Sequence, residues 1–255
     1  RLIPITITNP TGFSKKGWEK VSKWAELYMI RRPPDLSKLP IQLPPETRYI
    51  ELKGESKQLY KELKKESKQV KKDFTIPSAV AVFMKARVLV SGKDKEDELL
   101  DLLPQLLDSR RVLVYTPFLQ TAHRLAARIQ KDLGICVGTF TGDDSDKVRA
   151  EVLEKIGSVY RVVVMTGAGK EGVDGLQKAS ALVLFDYPNS AGELDQIIGR
   201  VKRQGQEEQN ILVYHIHAEK TIDDRLKKLL EQKQWGMEKL KSLSEDGWRK
   251  VLDAI

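Results

Sequence analysis

Along residues 110–218 the apolar positions switch between two periods, and the switch repeats. Short runs rich in β-branched residues, Val112–Tyr115, Cys136–Phe140, Arg161–Met165, Ala181–Phe185 and Ile211–His215, read as strands. Helical spacing lies between them. It covers Thr121–Leu133, closed by Gly134, and a stretch from the capping residue Ser145 to Ile156, with Val148, Val152 and Ile156 inward and Gly157 at its end. A third helix is expected at 192–203. Strand and helix in this order predict an α/β fold, a parallel sheet with helices on both faces. The loops after Tyr115, Phe140, Met165 and Phe185 then leave from the carboxyl edge of the sheet, where such sheets collect their ligands.

The flanks are less regular. Lys95–Asp108 reads as a helix with Leu99, Leu102, Leu103, Leu106 and Leu107 on its buried stripe. Residues 76–90 are apolar throughout, and the pattern leaves helix and strand open. From Ser56 to Val70, Leu59, Tyr60, Leu63 and Val70 fall at helical spacing among many lysines, which form a solvated face or, alternatively, touch DNA. Tyr49–Leu52 reads as a strand. Before it, a helix fits Ser14–Met29 with Trp18, Trp24 and Tyr28 on one side, and prolines from Pro33 to Pro45 punctuate a connector. After the last strand, Thr221 is placed to cap a helix carrying Leu226, Leu229, Leu230, Met237 and Leu240, a brace across the sheet domain. Trp235 and Trp248 are expected to pack.

Composition narrows the classes. At 255 residues the chain can form one α/β domain with additions, or two small domains. Lys+Arg 44 against Asp+Glu 36 gives a net charge of +8, which permits a nucleic-acid partner without requiring one. The single cysteine, Cys136, excludes an internal disulfide framework and a Cys-based zinc site; between Ile135 and Val137 it reads as a buried small apolar residue. No run of about 18 apolar residues occurs and no signal peptide is visible, so an intracellular chain with no membrane partner is expected. A start on Arg1 rather than Met fits a fragment or a processed chain. His215 and His217 share a strand face but lack a third ligand, so no metal site is expected, and His123 reads as structural.

The chemistry concentrates at Gln196-Ile-Ile-Gly199-Arg200-Val-Lys-Arg203-Gln-Gly205-Gln206. If the run to Arg203 is helical, Gln196, Gly199, Arg200 and Arg203 fall at i, i+3, i+4 and i+7 on one face, while Ile197, Ile198 and Val201 look elsewhere. Two guanidiniums on a rigid element suit a polyphosphate, because the planar fork binds its oxygens bidentately and stays charged. Thr166–Gly175 packs four glycines into ten residues, a composition that lets backbone approach phosphate. It is not a phosphate loop of the Walker type, since Glu171 follows Gly169-Lys170; Gly92-Lys93 fails likewise, followed by Asp94. Tight ATP binding by this chain alone is therefore not expected.

Together these pieces resemble the second RecA-like lobe of superfamily-two helicases, and within it the Swi/Snf-type DNA translocases. Gln196-x-x-Gly199-Arg200-x-x-Arg203-x-Gly205-Gln206 is similar to their motif VI, and Thr166-x-Ala168-Gly169-x-x-Gly172-x-Asp174 to motif V. Val112–Phe118 resembles motif IV, and Phe140-Thr141-Gly142 with Arg149 the segment after it. Tyr28-Met-Ile-Arg-Arg32 before Leu43-Pro44-Pro45, Ser91-Gly92-Lys93 before a Leu-rich helix, and Val213-Tyr214 before Thr221-Ile-Asp-Asp224 match outside the motifs. Asp174 stands where Asn is usual, Lys170 where a second Gly is usual, and Tyr187-Pro188-Asn189 replaces Trp-Asn-Pro.

The resemblance implies a division into residues 1–46 (connector and tail of a first lobe), 47–109 (lead-in strand and helical insertion), 110–218 (lobe core) and 219–255 (brace and tail). It implies ATP and Mg2+ as cofactors, with the phosphate loop and metal carboxylates on an N-terminal lobe of the same protein. Arg200 and Arg203 are then the arginine fingers, with Gln196 orienting them or the water. Gly172 and Asp174 face the nucleotide. Thr116, Thr141, Gly142, Thr166 and Gly167 grip one strand of a DNA partner, double-stranded in this family, and Lys170 either joins them or is solvated. The alternatives are an RNA helicase lobe and a lobe that has lost catalysis and serves as a nucleic-acid-binding or regulatory module.

Overall fold

The computed structural model describes residues 39–167, 174–231, 245–253 and 255. Contacts divide the chain after Lys38, and every described residue belongs to the unit Leu39–Ile255. The expected helix at 14–29, together with Trp235, Met237 and Leu240, lies outside the described residues.

Among the described residues seven parallel strands form one sheet: β1 (Ile41–Gln42), β2 (Glu46–Ile50), β3 (Val112–Tyr115), β4 (Val137–Phe140), β5 (Val162–Met165), β6 (Ala181–Leu184) and β7 (Asn210–Ala218). β1 and β2 follow one another along the same side of β7, with Leu43-Pro44-Pro45 between them. Proline has no amide hydrogen for a ladder, so the break falls on an outermost row, where the loss matters least. Inward from there the order is β7-β6-β3-β5-β4. The strand expected at 49–52 lies earlier, because pairing with β7 stops where Ile50 meets Ala218.

Alternate residues of the central strands enter opposite cores, which is the period of two made visible. Val112, Val114, Val162 and Val164 meet α3 (Lys93–Leu107) and α4 (Leu119–Leu133) through Leu99, Leu103, Leu125 and Ile129. Leu113, Tyr115, Val163 and Met165 meet α5 (Asp146–Lys155) and α6 (Ala191–Val201) through Val152, Ile197 and Val201. The layers are helix, sheet, helix. Ser145 Oγ accepts from Val148 N at the start of α5, and Gly134 and Gly157 adopt the left-handed φ values of 64° and 93° that end α4 and the turn after α5.

The stretch left open by periodicity is a helix, α2 (Ile76–Val90), capped by Thr75 Oγ1 accepting from Ser78 N. A helix apolar all round is one covered on several sides. Here α1 (Gly54–Lys72), α7 (Ile222–Glu231) and α8 (Glu245–Leu252) share a third core with it, with Phe83 and Trp248 edge-on at 6.1 Å between ring centroids. α1 buries Tyr60 and Leu63 but leaves Leu59 exposed.

Three expectations are corrected. Cys136 is exposed, because β4 is the edge strand and pairing starts only at Val137. Val148 is exposed as well, since α5 reaches the sheet through Val152 and Leu153 and its first turn overhangs. His123 is a surface residue, its imidazole 3.9 Å from Asp143. Among the described residues no helix is long and apolar enough to cross a membrane, and no group of three or more His, Cys, Asp or Glu could hold a metal ion.

Candidate functional site

Register fixes what lies at the carboxyl edge. Tyr115 pairs with Met165 and Met165 with Phe140, so Thr116, Thr166 and Thr141 come next on three neighbouring strands. They form a row with about 4.8 Å from strand to strand. Their hydroxyls differ. Thr116 is buried, donates Oγ1 to Asp186 Oδ2 at 2.7 Å and accepts from Phe118 N at 3.2 Å. Thr141, also buried, gives both its amide and its Oγ1 to Asp144 Oδ2, at 2.6 and 2.8 Å. The hydroxyl of Thr166 has no hydrogen-bond partner among the described residues, while its amide donates to Phe140 O. Gly142 is exposed, and a side chain there would meet nothing within 4 Å. Arg149 holds the carbonyls of Thr141 and Gly142, each at 3.1 Å. This loop is braced from behind and presents backbone outward. Gly167 is half-buried, and Lys170 and Gly172 lie outside the described residues.

Beside this row sits a buried ionic cluster that the sequence reading missed. Lys95 is fully buried, with Nζ 2.8 Å from Asp223 Oδ2, 3.2 Å from Asp186 Oδ1 and 3.0 Å from Phe185 O. Burial pulls its ammonium down, but Asp223 and Asp186 outweigh that and hold it above the ordinary lysine value. Ser91 Oγ donates to Asp186 Oδ1 at 2.6 Å, and Ala218 N to Asp223 Oδ2 at 3.1 Å. Next to it, Arg87 of α2 reaches Tyr187 O at 2.7 Å and Asn189 Oδ1 at 2.9 Å, clamping the loop that leads into α6. A signal existed: Lys95 precedes Leu99 by four residues and so lies on the apolar stripe of its helix, where a charge needs a partner.

The arginines are positioned by α6. Its cap, Ser190, accepts from Glu193 N at 3.0 Å, and the buried Glu193 carboxylate takes Tyr115 OH at 2.6 Å and Asn189 N at 2.9 Å. That pins the first turn to β3. Ile197 and Val201 pack on the sheet, Gln196 and Gly199 are exposed, and Arg200 is half-buried. The helix ends at Val201, two residues before the expected limit, so Arg203 lies in the turn beyond it rather than at the i+7 position of one continuous face. Gly205, at φ 88°, reverses the chain, and Gln206 Nε2 donates to Ala179 O at 2.8 Å and Val201 O at 3.3 Å. The closing Gly-Gln thus latches the end of α6 to the 3-10 turn Leu176–Lys178.

The latch brings Asp174 and Arg203 together, 2.8 Å from Oδ1 to Nη2. Desolvation and the neighbouring Arg203 hold the Arg200 guanidinium below the ordinary arginine value, with Asp174 pulling the other way. Arg203 thus pairs with a largely exposed carboxylate close enough to Arg200 for all three charges to influence one another, and a guanidinium in such a place is chemically suited to an anion. A side chain on Gly199 would meet nothing within 4 Å, so packing among the described residues does not require glycine there.

Comparison with known proteins bears on the family resemblance and the fold. Residues 94–205 match the family model described as the helicase conserved C-terminal domain. A Bacillus subtilis protein described as an uncharacterized ATP-dependent helicase is 26% identical over 162 residues; the match covers 64% of this chain and only 28% of that protein. The Sulfolobus solfataricus SWI2/SNF2 ATPase C-terminal domain shares the fold, with a TM-score of 0.64 at 17% identity over 85% of this chain and 99% of that one. The SWI2/SNF2 ATPase core of the same organism, solved in complex with dsDNA, gives 0.66 at 18% identity over 93% of this chain and 54% of that one. Residues 94–205 are thus similar in sequence to the helicase conserved C-terminal domain, and the chain shares its RecA-like fold with the C-terminal domain of a SWI2/SNF2 ATPase.

Proposed function

We propose that this chain is the second motor lobe of an ATP-dependent DNA translocase or helicase. The observation that carries the reading is the ion pair of Arg203 with Asp174, with Arg200 as its electrostatic neighbour, beside an exposed glycine near the end of α6. Arg203 and Arg200 reach the γ-phosphate of ATP held by an N-terminal lobe and neutralise the charge that develops as it transfers. Asp174, which now holds Arg203, turns to the ribose. Mg2+ is held by carboxylates of the N-terminal lobe. At the sheet edge the Thr166 hydroxyl and the exposed backbone of Gly142 meet phosphates of one strand, while Thr116 and Thr141, whose hydroxyls and amides are already taken within the chain, shape that edge. Such contacts carry little sequence information and suit a motor that tracks any sequence. The names of the relatives and the DNA-bound neighbour support this reading.

Two tests follow from the division of labour. The purified 255-residue chain has negligible ATPase activity with or without DNA, and robust hydrolysis by it contradicts a two-lobed site. Gly199→Ala separates packing from function. It raises the stability of the chain by about 0.5–1 kcal/mol, the usual gain for a helix interior, yet lowers ATP turnover of the complete protein, because the added methyl stands where the other lobe approaches. Denaturant unfolding and steady-state ATPase assays read the two effects. Unchanged turnover in this variant removes the glycine from the site. DNA- and RNA-stimulated turnover of the complete protein, compared side by side, identify the polymer.

A further inference from the structure

A second charged surface lies at the same edge of the sheet, on the β2–β7 side. Two adjoining clefts, of about 300 and 540 Å3, share Lys64, Lys220 and Thr221. α1 lines them with Lys57, Lys61 and Lys64, at i, i+4 and i+7 on one helix face, and Arg225 and Lys228 of α7 and Lys250 of α8 complete them. Three separate stretches of chain deliver these cations to one groove.

Four carboxylates also line the groove, Glu51, Glu219, Asp224 and Asp253, and three of them are committed, Glu51 to a lysine of the groove itself. Glu51 takes Lys220 Nζ at 2.5 Å, Asp224 takes His217 Nε2 at 2.8 Å and Lys220 N at 2.9 Å, and Asp253 pairs with Lys71. Among the described residues Lys61, Arg225, Lys228 and Lys250 make no ion pair and no side-chain hydrogen bond, and Nε of Arg225 is shielded from solvent without an acceptor.

We infer that this groove is a second nucleic-acid contact, binding the phosphate backbone outside the motor cleft. Lysines are compact point charges that meet phosphate without demanding one geometry. The α1 stripe from Lys57 to Lys64 spans about 10 Å, enough to follow a backbone rather than a single ion. The choice of polymer rests on the reading of the chain as a DNA motor. The contact holds the track independently of the nucleotide state, because none of its residues belongs to α6 or to the loop after β5.

The test uses the complete protein with Lys61, Lys228 and Lys250 all changed to Ala. All three side chains are exposed and unpaired among the described residues, so the fold is unaffected. Binding to random-sequence duplex DNA is measured from 50 to 200 mM salt. The variant is expected to bind about tenfold or more weakly at the lower salt, and its salt slope to fall by about one unit for each lysine lost. ATPase without DNA is unchanged, and the DNA concentration for half-maximal stimulation rises while the maximal rate holds. Equal affinity and equal slope in a variant whose parent hydrolyses ATP overturn the groove alone. A loss of binding to polyglutamate with DNA binding intact also overturns it, in favour of an acidic protein partner. A parent that neither binds DNA nor hydrolyses ATP overturns the motor reading and the groove with it.

Discussion

Arg203→Ala in the complete protein is expected to lower ATP turnover by about 10³–10⁵, the range associated with arginine fingers, while leaving DNA binding and the fold nearly intact. The fold survives because the Arg203 side chain is 36% exposed and its partner Asp174 is 74% exposed. A pair that open contributes about 1 kcal/mol or less. What is lost is a planar donor set at the end of a helix pinned at its start by Glu193 and latched at its end by Gln206. Arg203→Lys keeps the charge and loses the fork, so it should recover only part of the rate. Single-turnover hydrolysis with saturating DNA reads the chemical step directly. Near-normal rates in Arg203→Ala would end the finger assignment and move attention to Arg200.

Lys95→Met should cost the chain about 3–5 kcal/mol, the usual consequence of removing one partner from a buried ion pair. The side chain is replaced by one of similar length, so little packing is lost. The damage is electrostatic: Asp186 and Asp223, 4% and 3% exposed, face each other without the ammonium between them. At about 2–4 °C per kcal/mol for a unit of this size, the melting temperature falls by roughly 6–20 °C. Adding Asp223→Asn to Lys95→Met removes one stranded charge and should restore part of the loss. A drop below about 1 kcal/mol in the single variant would mean that water or a rotation of the carboxylates replaces the lysine.

The sheet was legible because its strands obey a simple rule. Val112, Val114, Val162 and Val164 point one way and Leu113, Tyr115, Val163 and Met165 the other, and such runs can only be strands covered on both faces. Ser145, Gly134 and Gly157 announced helix ends by chemistry local to themselves. Residues 76–90 were illegible for the opposite reason. Their environment is set by α1, α7 and α8, and α7 and α8 lie more than a hundred residues away in sequence. At the site, the motif spacing located Arg200 and Arg203, but not that α6 stops at Val201 or that Gln206 and Asp174 fold back on the turn. The commitment of the Thr116 hydroxyl to Asp186 was equally hidden, since no local pattern distinguishes a threonine that grips a ligand from one that holds its own chain.

Pro44 and Pro45 divide the outermost row of the sheet into pieces of two and five residues. A continuous outer row would offer an unbroken template on which a second molecule could extend the sheet and begin a fibre. The interrupted row offers none of useful length, so concentrated preparations of this lobe should stay dispersed where an uninterrupted homologue would coalesce.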